Sequence, residues 1–158
     1  MDEQAKKTAL RMIPYGLFVV GVGKGAGATA STVNWVTQAS FAPPLVVVGV
    51  KAGTGTLDRI KEDKVFSVSV LGSGQKDMAF AFFKHVEPED GKLGGYAFET
   101  KTTGCPVFSD APAWWECELV STVEEGDHVI VVGKVVEAGV NHQMDALTLK
   151  ECGVNYGG

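Results

Sequence analysis

Four short valine-rich runs, LFVVGV, LVVVGV, VFSVSVL and VIVVGKVV, limit most strongly what this chain can fold into. Each is rich in β-branched residues and is bounded by Gly, Pro or Asp, which is how strands are punctuated. TVNWVTQASF alternates Val33, Trp35 and Thr37 against Asn34, Val36 and Gln38, as a single strand with one buried face does. WWECELVSTV and ALTLKECGV read as further strands. Helical patterning is confined to three places. Residues 2–12 form a short amphipathic segment stopped by Pro14. GTGTLDRIKED is expected to start a helix near Thr56, with Thr56 as its cap and Leu57 and Ile60 on one side. GQKDMAFAFFKH sets Met78, Ala79, Phe82 and Phe83 on one wide apolar face. The stretch 84–113, with Gly91, Gly94, Gly95, Gly104, Pro106 and Pro112, reads as loop-rich. Regular β–α–β alternation is absent. Many short strands with few helices indicate a mainly β fold, a barrel or sandwich with one or two covering helices.

The 158 residues are expected to form a single domain, 1–158, because a chain of about this length buries roughly 68–70% of its unfolded surface without disulfide or metal staples. A net charge of −5 argues against a nucleic-acid partner, which usually meets a basic surface. The opening MDEQAKKTALRM has no apolar h-region and no run approaches a membrane span, so a cytoplasmic protein away from membranes is expected. Cys105, Cys117 and Cys152 are odd in number and lack C-x-x-C spacing, and His85 and His142 lack ligand-like neighbours, so no metal site is expected. Cys117 follows Trp114 and Trp115 in an apolar run and reads as packing, whereas Cys105, in TTGCPVF, reads as a loop thiol open to reaction.

The glycine run GVGKGAG, Gly21 to Gly27, invites a reading as a phosphate-binding turn. The glycines fall at positions 21, 23, 25 and 27, so no G-x-G-x-x-G register exists, and Lys24 lacks the flanks of a Walker A loop. The segment after it, ATASTVNWVTQ, is β-branched and alternating, which is poor helix material. A hairpin turn at KGAG, using the positive φ that glycine adopts cheaply, accounts for the run instead.

Anion-binding chemistry is better placed downstream. ATAST offers Thr29, Ser31 and Thr32, and KAGTGT offers Lys51, Thr54 and Thr56. A lysine and two hydroxyls in a glycine-bearing loop before a helix start combine side-chain donors, free N–H groups and the helix dipole. The same segment also reads as a plain strand-to-helix turn. Trp35 and the Phe82/Phe83 pair are either stacking faces for a flat ligand or core residues. Asn34, Thr37, Gln38 and Ser40 either read a ring edge by hydrogen bonds or face solvent. His128, beside Asp127 at the start of a strand, reads locally as a turn residue paired with that acid.

In order and spacing, IPYGLFVVGV, ATASTVNWVTQASFAPPLVVVGV, KAGTGTLDRI, FSVSVLGSGQKDMAFAFF, TTGCPVF and EGDHVIVVGKVV together resemble the flavin reductase-like family with the FMN-binding split β-barrel fold. The resemblance covers nearly the whole chain, and the closing ALTLKECGVNYGG is similar to the end of flavin reductase modules that some proteins join to rubredoxin. It implies a Greek-key barrel with FMN, or alternatively FAD, at its edge, in a homodimer. The implied activity is NAD(P)H:flavin oxidoreductase, with hydride passing from a nicotinamide nucleotide to the flavin. The alternative it leaves is an FMN-containing electron carrier working with rubredoxin or another electron-transfer protein. By resemblance, Thr32, Val33, Asn34, Trp35 and Val36, then Thr37, Gln38 and Ser40, contact the flavin ring and ribityl chain. Lys51, Thr54 and Thr56 hold the phosphate, His128 lies by the nicotinamide as the catalytic-site residue, and Tyr156 reaches the flavin edge.

Overall fold

A computed structural model describes residues 1–158. The chain is built on seven antiparallel strands: β1 (Phe18–Val22), β2 (Thr29–Val33), β3 (Val36–Ser40), β4 (Leu45–Lys51), β5 (Val65–Val70), β10 (Ala113–Val123) and β11 (His128–Val140). Their order across the sheet is β2-β1-β5-β10-β11-β4-β3. A smaller four-stranded sheet, β6 (Pro88–Glu89), β7 (Lys92–Leu93), β8 (Tyr96–Thr100) and β9 (Pro106–Phe108), occupies much of the stretch expected to be loop. Helices α1 (Glu3–Arg11), α2 (Gly55–Asp63), α3 (Lys76–Ala81) and α4 (Leu149–Cys152) are short.

The segment expected to be one strand is broken. β2 and β3 are consecutive in sequence but lie at opposite edges of the sheet, joined only by Asn34 and Trp35. Three Cα steps span at most about 11 Å, so the sheet must curl until its edges come close. No ladder pairs β2 with β3, so the curled sheet remains open along this seam. The expected barrel is therefore met as a curled antiparallel sheet rather than a closed one.

The curl encloses one core, built from Val20, Val22, Val46, Val48, Val50, Leu57, Ile60, Phe66, Val68, Cys117, Val129 and Val131. A second core, with Leu17, Val19, Leu71, Met78, Phe82, Phe108 and Leu147, lies on the other face under α3 and the smaller sheet. β1 supplies Val19 to one and Val20 and Val22 to the other, which is why its run is continuously apolar rather than alternating.

The expected hairpin is present: β1 and β2 pair in register from Phe18↔Val33 to Val22↔Thr29 around a single 3₁₀ turn, Gly25–Gly27. Gly23 sits at φ +72°, where a Cβ would lie 2.1 Å from the Gly27 carbonyl oxygen, so this turn admits only glycine there.

Four local expectations need correction. The cap of α2 is Thr54, whose hydroxyl accepts from Leu57 N at 3.4 Å, while the Thr56 hydroxyl is taken by Ser31. α3 ends at Ala81, so Phe82 is buried but Phe83 is 57% exposed and leaves the expected apolar face. ALTLKECGV is not a strand. Thr148 caps α4 by accepting from Glu151 N at 3.1 Å, and Gly153 ends it at φ +70°. Cys105 is fully buried, and burial pushes its thiol above the usual range, so it is no open loop thiol. Cys117 behaves as expected of a packing residue, with burial pushing its thiol up to about 12.

Strand β10 also carries Glu116, fully buried beside a bulge of β11, where the partner passes from Glu137 to Val135 and Val136 is the extra residue. Side chains of β10 alternate normally here, with Cys117 in the core within the curl and Glu116 on the opposite face of the sheet. The Glu116 carboxylate accepts from Thr102 N at 2.8 Å, Thr103 N at 3.0 Å and Thr103 Oγ1 at 2.5 Å, which fixes the loop before β9. Glu116→Ala strands these donors, so the expected outcome is a loss of about 3 kcal/mol in urea unfolding. A loss below about 1 kcal/mol would show that the carboxylate does not hold the loop.

Candidate functional site

The seam between β2 and β3 opens into a cavity of about 950 Å³. Its floor comes from β2, through Thr29, Ser31, Thr32 and Val33, and from Asn34 in the link. The end of β4 supplies Gly49, Val50 and Lys51, and the start of α2 supplies Thr54, Gly55, Thr56 and Arg59. Phe82, Phe83, Lys84, His85 and Glu87 follow α3, and His128 begins β11. The C-terminal stretch closes the remaining side with Val154, Asn155 and Tyr156.

Electrostatically this cavity departs from the chain as a whole. Lys51, Arg59 and Lys84 face a single carboxylate, Glu87, in a protein of net charge −5. Lys51 and the first turn of α2 converge at one end, where N–H groups without intrahelical partners add to the positive field. Arg59 lies one turn further along the same helix and reaches across Gly27, where a Cβ would sit 3.2 Å from its guanidinium. Gly27 thus belongs to the cavity wall as a gap for Arg59.

The hydroxyls of the floor act first as struts. Thr29 donates to the Val86 carbonyl at 2.7 Å and Thr32 to the Ala79 carbonyl at 2.6 Å, tying β2 to the segment around α3. Ser31 and Thr56 share a hydrogen bond of 2.6 Å, tying β2 to α2. Asn34 differs from all of these. It is buried and lines the cavity, and its amide nitrogen has no partner within the protein. A buried donor left unmade costs about 1–3 kcal/mol, and a ligand acceptor in the cavity would recover it.

His128, directly across from Lys51 in the β4–β11 ladder, is fixed on three sides. Its Nδ1 is 3.0 Å from Asp127 Oδ1, its Nε2 is 2.8 Å from the Tyr156 hydroxyl, and its ring lies 4.5 Å from that of Trp35. The hydrogen bond to His128, followed by the attraction of its ring when charged, holds the Asp127 carboxyl below the usual carboxylate range. The local reading of His128 as a partner of Asp127 describes its position, and the same residue lines the cavity.

Of the residues singled out in the sequence, Thr29, Ser31, Thr32, Val33, Asn34, Lys51, Thr54, Thr56, His128 and Tyr156 line this cavity. Trp35 stands behind it, packed on Gly49, His128 and Tyr156. Val36 packs on the core within the curl, and Thr37 and Gln38 are exposed on β3. Ser40, at the end of β3, is likewise outside the lining. Phe82 and Phe83 of the aromatic pair also line the cavity, as does His85, considered in the sequence only as a metal ligand, whereas Arg59, Lys84 and Asn155 line it and were not singled out. Arg59 carried a usable signal, since it follows Gly55 at i+4 on one helix face. Lys84 and Asn155 come from distant segments and carried none.

The lining combines cationic side chains with an unpartnered amide, a donor set that suits a ligand carrying both an anionic group and a polar acceptor. The chain is 33% identical over 135 residues to a probable flavin reductase of Rhizobium meliloti (strain 1021), a match covering 85% of this chain and 42% of that longer protein. An NADH-dependent FMN reductase of Streptomyces nodosus subsp. asukaensis is 32% identical, over 92% of this chain and 84% of that one. The solved structure of the styrene monooxygenase flavin reductase from Pseudomonas putida S12 superposes with a TM-score of 0.75 at 30% identity, covering 90% of this chain and 89% of that one. A model of the flavin reductase like domain matches residues 10–156, and by that match the chain belongs to the flavin reductase-like family.

Proposed function

We propose that this protein is an NAD(P)H-dependent flavin reductase that holds FMN in the cavity along the seam. The observation that carries the reading is the buried amide of Asn34, unpartnered within the protein and lining a cavity that also carries Lys51, Arg59 and Lys84. Lys51, Arg59 and the first turn of α2 would hold the phosphate. A dianion is favoured there by fixed charge and by the helix start together. Asn34 would donate to a carbonyl on the ring edge, which is how a site built for hydrogen bonding selects its ligand. When bound, the flavin supplies the two-electron carrier that accepts hydride from a reduced nicotinamide.

The chain's own residues then have little bond-making to do. Thr29, Thr32 and Ser31 hold the floor rigid against α3 and α2, and rigid placement is what turns proximity into rate. His128, oriented by Asp127, would position the nicotinamide rather than exchange a proton with it.

Adding NADH or NADPH to the flavin-loaded protein without oxygen is expected to bleach the visible flavin band within the mixing time of a turnover experiment. Bleaching by neither nucleotide, with bleaching by a reduced protein such as rubredoxin, would replace the reductase reading with that of an electron carrier. The Asn34 assignment is tested separately. Asn34→Leu is expected to leave the cofactor-free protein at least as stable in urea, because an unpartnered buried donor is removed. The same variant is expected to bind FMN about tenfold more weakly in a fluorescence titration. Unchanged FMN affinity would take Asn34 out of the site.

A further inference from the structure

The His128 imidazole has no ring nitrogen left for a ligand. Nδ1 is turned outward to Asp127, whose side chain is 93% exposed. Nε2 is the nitrogen on the cavity side, and the Tyr156 hydroxyl occupies it at 2.8 Å. Any group that is to be positioned by Nε2 must therefore take the place of that hydroxyl.

Tyr156 is held lightly enough for this to happen. None of the backbone N–H groups from Val154 to Gly158 bonds to another backbone carbonyl. Val154 anchors the start of the stretch by packing on the second core, and beyond it the chain is pinned by the Tyr156–His128 bond, by ring contact with Trp35 at 5.5 Å, and by Arg11 of α1 donating to the Gly157 carbonyl at 3.1 Å. Tyr156 itself is 44% exposed. A segment with so few partners opens locally at small cost, and one hydrogen bond exchanged for another changes little in free energy.

We infer that Tyr156 is a displaceable occupant of the nicotinamide subsite, whose phenol holds His128 Nε2 until the carboxamide of a nicotinamide dinucleotide takes over that bond. The inference rests on the reading of His128 as the residue that positions the nicotinamide. Its consequence follows from linkage: when only a fraction of molecules is open for binding, the apparent affinity is reduced by that fraction. Tyr156 then sets the KM of the protein for its dinucleotide, while Trp35 keeps the imidazole oriented after the phenol has left.

The test compares wild type with Tyr156→Phe, which keeps the ring on Trp35 and removes only the hydroxyl. In the flavin-loaded protein, Tyr156→Phe is expected to lower the KM for NADH by about three- to tenfold, the loss of one competing hydrogen bond. His128→Ala is expected to raise it. In the cofactor-free protein, the NMR signals of the His128 ring protons are expected to differ between wild type and Tyr156→Phe, which reports the bond independently of turnover. An active wild type with an equal or higher KM in Tyr156→Phe would overturn the inference, because the phenol would then be idle or supportive. Identical His128 signals in the two cofactor-free proteins would overturn it as well. A wild type that oxidises neither NADH nor NADPH would instead remove the reductase reading on which it rests.

Discussion

The two-residue link between β2 and β3 is the constraint on which the rest depends. Seven antiparallel strands twist in one sense, and an open sheet of that width would leave its first and last strands far apart. Asn34 and Trp35 forbid this, because they alone connect one edge to the other. The curl they impose creates the inner core of Val46, Val48, Val50, Phe66 and Val131, and it also leaves an unpaired seam. The cavity lies along that seam. The fold and the site are thus two results of one short connection, and Asn34 serves both, as link residue and as the cavity's unpartnered donor.

An unpaired seam exposes backbone groups that water or another strand would otherwise claim. Here the space beside β2 is filled by the segment around α3. Thr32 N donates to the Phe82 carbonyl at 3.1 Å, and the Thr29 and Thr32 hydroxyls bond the carbonyls of Val86 and Ala79. Hydroxyl-bearing residues on β2 therefore answer a structural need created by the seam. That need explains why a strand lining a polar cavity is rich in Ser and Thr even before any ligand is considered.

The strands were legible because burial on one or both faces writes itself into local composition. β1, β4, β5 and β11 are valine-rich for this reason, and their positions follow from the sequence. The break after Val33 was not legible, because the alternation runs on through Asn34 and Trp35 and only the meeting of two distant edges interrupts it. α4 was missed although Thr148 and Glu151 have the spacing of a capping box, since the period-2 pattern of ALTLK outweighed that signal in so short an element. Lys51, Thr54 and Thr56 could be grouped beforehand because they share one loop. Lys84 and Asn155 could not, because only the folded chain brings them to that cavity. The Tyr156–His128 bond joins residues 28 positions apart, and nothing in either local pattern announces it.

The placement of charge around the cavity follows the cost of desolvation. Burying an ammonium or guanidinium without a partner is expensive, whereas neutral hydrogen-bonding groups bury at modest cost once paired. Accordingly Lys51 and Lys84 are exposed and Arg59 is half-buried, so each keeps contact with water at the rim. The interior positions go to Asn34, Ser31, Thr32 and Thr56, which are neutral. Three of these four are satisfied within the protein, and only Asn34 is left with an unmet donor. Under the proposed function, a cavity arranged this way would attract an anion to its mouth through long-range charge and read what enters by a single buried amide. It can remain open in the absence of ligand because the stability of the floor depends on the strut hydrogen bonds and not on the cations.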